Sequence, residues 1–392
     1  MYSFSTTEGR SGSSRNAGSG IEEAPEENVL EAEAAEKRTG RESTGDRGSE
    51  KEALEEKYRK QKQRKSGTGR ESTESKSHSG KRLLQKWRIG KMESKQKIDG
   101  YTRTCGLIGN PVEHTMSPVI HNTLSERLGE NLVYVPFHVP TGQVKEAVEG
   151  AFALNLLGCN VTVPYKSEVI PYLKELDGLA ERIGAVNTLV RREDGFKGYN
   201  TDMPGLYRAM CEDGVKIAGE KVLVLGAGGV ARAVVMLLAE KNAEQIIILN
   251  RSREKAQKIA DEVNGYRKET RVSALSLGEY NTLPETERYL AIQATNVGMF
   301  PNTEEAVFTE ADFYRRVHTG YDLIFNPSET LFMKKVRENG GKAYNGLKML
   351  LYQGVIAYEL WTGKEISGEL SAEVYQRMQE AMRKHEEGAN EK

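Results

Sequence analysis

From about residue 100 onward the chain alternates two hydrophobic patterns. Short runs of consecutive or alternating apolar residues read as strands at 102–110, 132–139, 158–164 and 185–191. Between them, at 144–154 and 169–183, apolar positions recur at the three- and four-residue spacing of a helix. Ser117-Pro118 has the chemistry of a helix start: a hydroxyl suited to an N-cap, then a proline whose missing N–H costs nothing there. A second series begins near Met203. Buried strands are predicted at 221–225 (KVLVL), 245–249 (QIIIL), 290–294 and 321–325, with an apolar helix running from the end of the first to Glu240. A last long helix, 347–361, is apolar on much of its surface and should pack back on the first series. Strand–helix alternation of this kind predicts mostly parallel α/β layers.

Composition sets the first quarter of the chain apart. The 392 residues carry a formal charge of −1, so no global basic field points to nucleic acid. Residues 1–91 hold 20 Lys/Arg, 16 Asp/Glu and only 18 apolar residues, too few to repay the cost of ordering the backbone. The string TGREST occurs at 39–44 and 68–73, and KYRKQKQRK (57–65) is a basic run. An RNA or membrane tether is one reading of that run; a solvated, low-complexity disordered tail over 1–99 is the expectation. No methionine lies between Met1 and Met92, so a chain start at Met92 is a further expectation. Three separated cysteines give no disulfide framework and point to a reducing, cytoplasmic setting. No apolar run approaches the ~18 residues a membrane span needs. Six histidines without a ligand-like spacing suggest no metal.

Candidate chemistry then falls into two groups. Gly226 to Ala231 form a G-x-G-x-x-A turn between a strand and a helix, with Ala227, Gly229 and Val230 inside it. Gly226 would allow the tight turn, and Gly228 the approach of a pyrophosphate to free N–H groups at the helix start. The next strand ends in Asn250-Arg251-Ser252, followed by Arg253 and Lys255, where an NAD-binding unit usually has an acid for the ribose hydroxyl. Arg251 offers a planar cation suited to a 2′-phosphate, which favours NADP. The second group is less specific. Lys166 could be a snorkelling side chain, Asp202 and Ser117 helix caps, and Asn187 a turn amide.

Taken in order, these segments resemble the shikimate dehydrogenase family over about residues 102–385. The motifs are GNPVEHTMSP (109–118), NVTVPYK (160–166), AVNT (185–188), NTD (200–202), LGAGGVARA (225–233), NRS (250–252), ATNVGM (294–299) and NGLKMLLYQ (345–353). The resemblance implies an α/β chain with a discontinuous substrate domain, 100–203 completed by 345–392, and a Rossmann-like NADP-binding domain, 204–344. It implies NADP-dependent, reversible reduction of 3-dehydroshikimate to shikimate, with Lys166 and Asp202 as the catalytic pair. Thr115 and Ser117 would hold the substrate carboxylate; Thr162, Asn187, Asp202 and Gln353 would hold ring hydroxyls. Gly226 to Val230 and Asn250 to Lys255 would hold the cofactor, with Leu323 and Gly346 beside the nicotinamide. The family most often has Ser where Thr115 stands and Tyr where Phe325 stands, so Phe325 lacks one potential substrate hydrogen bond. Quinate as substrate and a catalytically silent ligand-binding relative stay open as alternatives. Monomer and homodimer stay equally open.

Overall fold

The computed structural model describes residues 98–390, and side chains as far as 384. The tail, its basic run, the repeated hexapeptide and the Met92 start therefore lie outside the described residues. The first series builds one six-stranded sheet. Its elements are β1 (Arg103–Gly109), α1 (Ser117–Leu128), β2 (Leu132–His138), α2 (Val144–Ala153), β3 (Gly158–Val161), β4 (Glu175–Leu176), α3 (Gly178–Ile183), β5 (Thr188–Arg191) and β6 (Phe196–Tyr199). Strand order is β2-β1-β3-β5-β6-β4. Strands β2, β1 and β3 are parallel, but β5 runs antiparallel to both β3 and β6. This half is thus more mixed than simple alternation predicts.

The helix expected over 169–183 is not continuous. A 3₁₀ turn at Ile170–Tyr172 contains Pro171, which has no N–H to donate, and β4 then pairs with β6. Only Gly178–Ile183 is helical, started by Asp177, whose carboxylate accepts from Leu179 N at 3.0 Å.

Helix α4 (Asp202–Glu212) leads into the second sheet. The order of elements is β7 (Lys221–Leu225), α5 (Gly229–Glu240), β8 (Gln245–Asn250), α6 (Arg253–Tyr266), β9 (Arg271–Ser276), β10 (Tyr289–Gln293), α7 (Ala311–Arg315), β11 (Val317–Asp322), α8 (Leu331–Glu338) and β12 (Lys342–Tyr344). The order across the sheet is β12-β11-β10-β7-β8-β9, and every pairing is parallel. Val222 to Leu225 on central β7 are wholly buried, as expected of a strand covered on both faces. The strand expected at 321–325 stops at Asp322, because that carboxylate takes Ile324 N–H at 3.0 Å and turns the chain.

The chain then returns through α9 (Leu347–Thr362) and ends in α10 (Gly368–Asn390). Helix α9 packs on α4 and α1 through missing side chains. A Cβ at Gly205 would lie 2.6 Å from Gln353 N, and one at Gly354 would lie 3.1 Å from the Ile120 side chain. Trp361 anchors its far end on the first sheet, donating from its ring nitrogen to Leu189 O at 2.8 Å.

Candidate active site

A cleft of about 300 Å³ opens where the C-terminal ends of β1 and β3 meet the start of α9 and the segment after β11. A Cβ at Gly109 would lie 2.2 Å from the Thr162 methyl, so the absence of one lets the loop after β1 close on the end of β3. Beyond Thr162, Tyr165 is buried and donates its hydroxyl to Val139 O at 2.8 Å. Val186 N donates to Lys166 O at 2.7 Å, which ties the lysine backbone to the Asn187 segment.

Lys166 Nζ donates to Asp202 Oδ2 at 2.7 Å, and both side chains line the cleft. Asn187 locks the carboxylate from its other side: Nδ2 donates to Asp202 Oδ1 at 2.9 Å, while Oδ1 accepts from Thr201 N at 2.7 Å. Asp202 is the first residue of α4, not its cap, which is Thr201. A carboxylate in a first helical turn is favoured by the free N–H groups there.

Ser117 is likewise not an N-cap; Met116 takes that position and no side-chain cap bond forms. Thr115 Oγ1 instead accepts from Ser117 N and donates to Ser117 Oγ, each at 3.2 Å, holding two hydroxyls together on the cleft wall. Gln353 comes from α9, its Nε2 donating to Leu350 O at 2.8 Å. Leu323, Phe325 and Gly346 close the cleft from the second-sheet side. A Cβ at Gly346 would lie 2.2 Å from Leu323 O, so only glycine permits that contact. Every residue expected around the substrate, together with Leu323 and Gly346, thus lines one cavity.

The sequence reading missed Asn160 of β3. It lines the same cleft, is 4% exposed, and donates to Asn187 O at 3.2 Å. The available signal was a buried amide in an otherwise apolar strand, which needs partners. It also missed Gln293, whose Oε1 accepts from Thr295 N at 2.9 Å and shapes the 294–299 loop beside the glycine turn.

The residues expected to hold the cofactor lie apart from that cavity, at the ends of β7 and β8. Gly226 has φ of +112°, and its N donates to Leu249 O at 2.9 Å. A Cβ at Gly228 or Gly229 would meet nothing within 4 Å, so open space precedes the first N–H groups of α5. Val230, on that first turn, is about half exposed. After β8, Asn250 Nδ2 donates to Ser252 O at 2.8 Å, and Ser252 caps α6 by accepting from Lys255 N at 3.4 Å. Arg253 pairs with Glu279 at 3.1 Å. Arg251 and Lys255 are exposed and make no ion pair among the described residues. The carboxylate in this turn, Glu254, receives the Ser252 hydroxyl at 2.8 Å. A glycine turn with space before it and cations beyond it fits a phosphorylated dinucleotide.

Among the described residues, no group of His, Cys, Asp or Glu is arranged to hold a metal, and no helix is long and apolar enough to cross a membrane.

Comparison with known proteins gives matches across both halves. A family model described as the shikimate dehydrogenase substrate binding domain matches residues 107–189. One described as shikimate / quinate 5-dehydrogenase matches 209–286, and one for the shikimate 5′-dehydrogenase C-terminal domain matches 346–369. The chain is 43% identical over 271 residues to the shikimate dehydrogenase (NADP(+)) of Desulforamulus reducens, across 68% of this chain and 92% of that protein. The crystal structure of shikimate 5-dehydrogenase from Listeria monocytogenes in complex with shikimate and NAD aligns with a TM-score of 0.66 at 33% identity, covering 71% of this chain and 98% of that one. The Thermus thermophilus enzyme in complex with NADP(H) and shikimate aligns at 0.62 and 30% identity, covering 70% and 99%.

Proposed function

This chain belongs to the shikimate dehydrogenase family, and from that premise we propose how its cleft performs NADP-dependent interconversion of shikimate and 3-dehydroshikimate. The reading takes 100–203 with 345–392 as the substrate-binding domain and 204–344 as the NADP-binding domain. It is carried by one observation, the 2.7 Å contact between Lys166 and Asp202 inside a cleft that also presents Thr115, Ser117 and Gln353.

When bound, NADPH would supply the hydride to the ring carbon, and NADP⁺ would accept it in the reverse direction. Gly226 to Val230 would hold its pyrophosphate, and Asn250, Arg251, Ser252 and Lys255 its 2′-phosphate. On the other side, the Thr115 and Ser117 hydroxyls would receive the substrate carboxylate. Thr162, Asn187 and Gln353 would hold ring hydroxyls, with Phe325 packing against the ring. A ketone being reduced gathers negative charge on oxygen, and a cation within hydrogen-bond reach stabilises that charge and supplies the proton. Lys166 fills that role. Asp202, fixed by Asn187, aims the ammonium and accepts from the neighbouring hydroxyl. In the oxidising direction the same lysine takes the proton back. The substrate is a small, soluble acid, and a cytoplasmic location fits the free cysteines.

The test follows NADPH formation from shikimate and NADP⁺, repeated with NAD⁺. Lys166→Ala should lower kcat by about 10²–10⁴-fold, the range of general acid–base catalysis, with NADP affinity within about twofold of the wild type. Near-normal turnover in that variant would remove Lys166 from the chemistry.

A further inference from the structure

His121 lies on α1, four residues past Ser117, and is fully buried. Tyr134 stacks on its ring at 4.2 Å and Trp361 packs against it at 5.0 Å. Burial holds its pKa down to about 3, so the ring is neutral in ordinary buffers. Nδ1 is buried with no hydrogen-bond partner among the described residues, whereas Nε2 lies 3.2 Å from Asn160 Oδ1. A neutral imidazole carries one proton, and an amide oxygen only accepts, so that proton sits on Nε2.

This tautomer gives the neighbouring bonds a direction. Asn160 Oδ1 also accepts from the Tyr134 hydroxyl at 2.8 Å. Its amide nitrogen therefore faces the opposite way and donates to Thr188 Oγ1 at 3.1 Å as well as to Asn187 O. Thr188 Oγ1 lies 3.2 Å from both Asn187 Oδ1 and Thr201 Oγ1, and Thr201 Oγ1 lies 3.2 Å from Asn187 Oδ1, so the hydroxyl pair reaches that amide oxygen by either route, and Asn187 Nδ2 donates to Asp202 Oδ1. Donors on His121, Asn160, Thr188 and Asn187 thus run head to tail and end on the carboxylate that holds Lys166. Aligned hydrogen bonds of this kind polarise one another and resist reorientation.

We infer that His121 is a positioning residue for the reaction: its Nε2–H fixes the Asn160 amide and, through Thr188 and Asn187, the Asp202 carboxylate. The inference rests on the reading of Lys166 and Asp202 as the catalytic pair. It differs from a purely packing role, in which any ring of the same size would serve.

His121→Phe keeps an aromatic ring for the stack on Tyr134 and removes the donor. His121→Gln keeps a donor near the position of Nε2. The Phe variant should lose about tenfold in kcat for shikimate oxidation, the scale of one buried hydrogen bond, with KM for NADP⁺ within about twofold of the wild type. The Gln variant should recover to within about threefold of the wild type by the same scale. In an Asn160→Ala background the Phe change should add no further loss. Wild-type turnover and the Lys166→Ala result judge the underlying reading by themselves, since the His121 variants are read only as ratios to the wild type. A Phe variant with wild-type kcat, a Gln variant no better than Phe, or additive losses with Asn160→Ala would overturn the inference. Should the Phe variant not fold, imidazole nitrogen NMR of the wild type decides. Signals of a neutral Nε2–H ring at His121 support the inference, and those of an Nδ1–H or doubly protonated ring overturn it.

Discussion

Asp322 is fully buried at the end of β11, one residue before Leu323 on the cleft wall. Burial pushes its pKa up to about 7, although the Thr330 hydroxyl at 2.6 Å and the Ile324 N–H at 3.0 Å favour the charged form. An aspartate in the unfolded chain titrates near ~3.9. Because the folded value is the higher one, the folded state binds the proton more tightly between those values. Its stabilising contribution is complete below about pH 4 and is lost as pH rises through about 7, with a loss on the order of 4 kcal/mol. In Asp322→Asn this response is absent, so wild-type Tm should fall more steeply than the variant's over that window. Parallel Tm–pH curves would mean that Asp322 titrates like a solvent carboxylate. At this scale the sequence was legible mainly through motif order. Lys166 and Asp202 are ordinary residues by their local context, and nothing local says that side chains 36 positions apart meet. Asn160 escaped because its partners, Tyr134, His121, Asn187 and Thr188, come from three other elements and the segment leading into β5.

Helices α4 and α9 carry Asp202 and Gln353 to the cleft, and their spacing depends on Gly205. A Cβ there would lie 2.6 Å from Gln353 N and 2.9 Å from Gln353 Cα, backbone atoms that cannot rotate aside. Gly205→Ala gains ~1 kcal/mol of helix propensity but forces the helices apart at an overpacking cost of ~1–3 kcal/mol. The net expectation is a lower Tm and a lower kcat/KM for shikimate, with NADP affinity unchanged. Wild-type stability and kinetics together would show that the two helices are not seated so closely. The same scale explains what the hydrophobic pattern could not give. Strands β7, β8 and β10 are buried on both faces and spell out apolar runs, whereas β9 and β12 are the edges of their sheet: β9 carries Arg271, Ser273 and Ser276, and β12 is three residues long and opens on the exposed Lys342. Periodicity over 169–183 matched a helix, but the backbone chemistry of Pro171 and the Asp177 cap broke that segment into a 3₁₀ turn, a short strand and one brief helix.

Among the described residues, two separate sets of contacts join elements of the two sheets. In one, the crossing segments meet: Lys348, in the first turn of α9, pairs with Asp213 at 2.6 Å, just past α4, and Asp213 also accepts the Tyr321 hydroxyl from β11 at 3.2 Å. In the other, Arg232 of α5 donates to Ile183 O at 2.5 Å and Arg182 O at 3.2 Å, the last carbonyls of α3, while Glu262 of α6 holds its other edge. A cation at the C-terminal end of a helix meets free carbonyls and the negative end of the dipole, so this contact is favourable on both counts. Arg232 lies three residues beyond Gly229, on the helix whose start is read as the pyrophosphate site. The contact therefore ties that helix to the end of α3, three residues before Val186, whose N–H donates to Lys166 O at 2.7 Å. Arg232→Ala removes two charge-assisted hydrogen bonds across this boundary, each worth ~1.5–3 kcal/mol at most when partly buried, and should lower Tm. Loosening the boundary should also cut kcat/KM for shikimate severalfold on that scale, while NADP affinity measured without shikimate stays within about twofold. Lysine cannot span both carbonyls with a planar fork, so Arg232→Lys should resemble alanine more than the wild type. If Arg232→Ala instead weakened NADP binding alone at unchanged Tm, the guanidinium would belong to the cofactor, and the boundary would be held by apolar packing between Ile183 and α5.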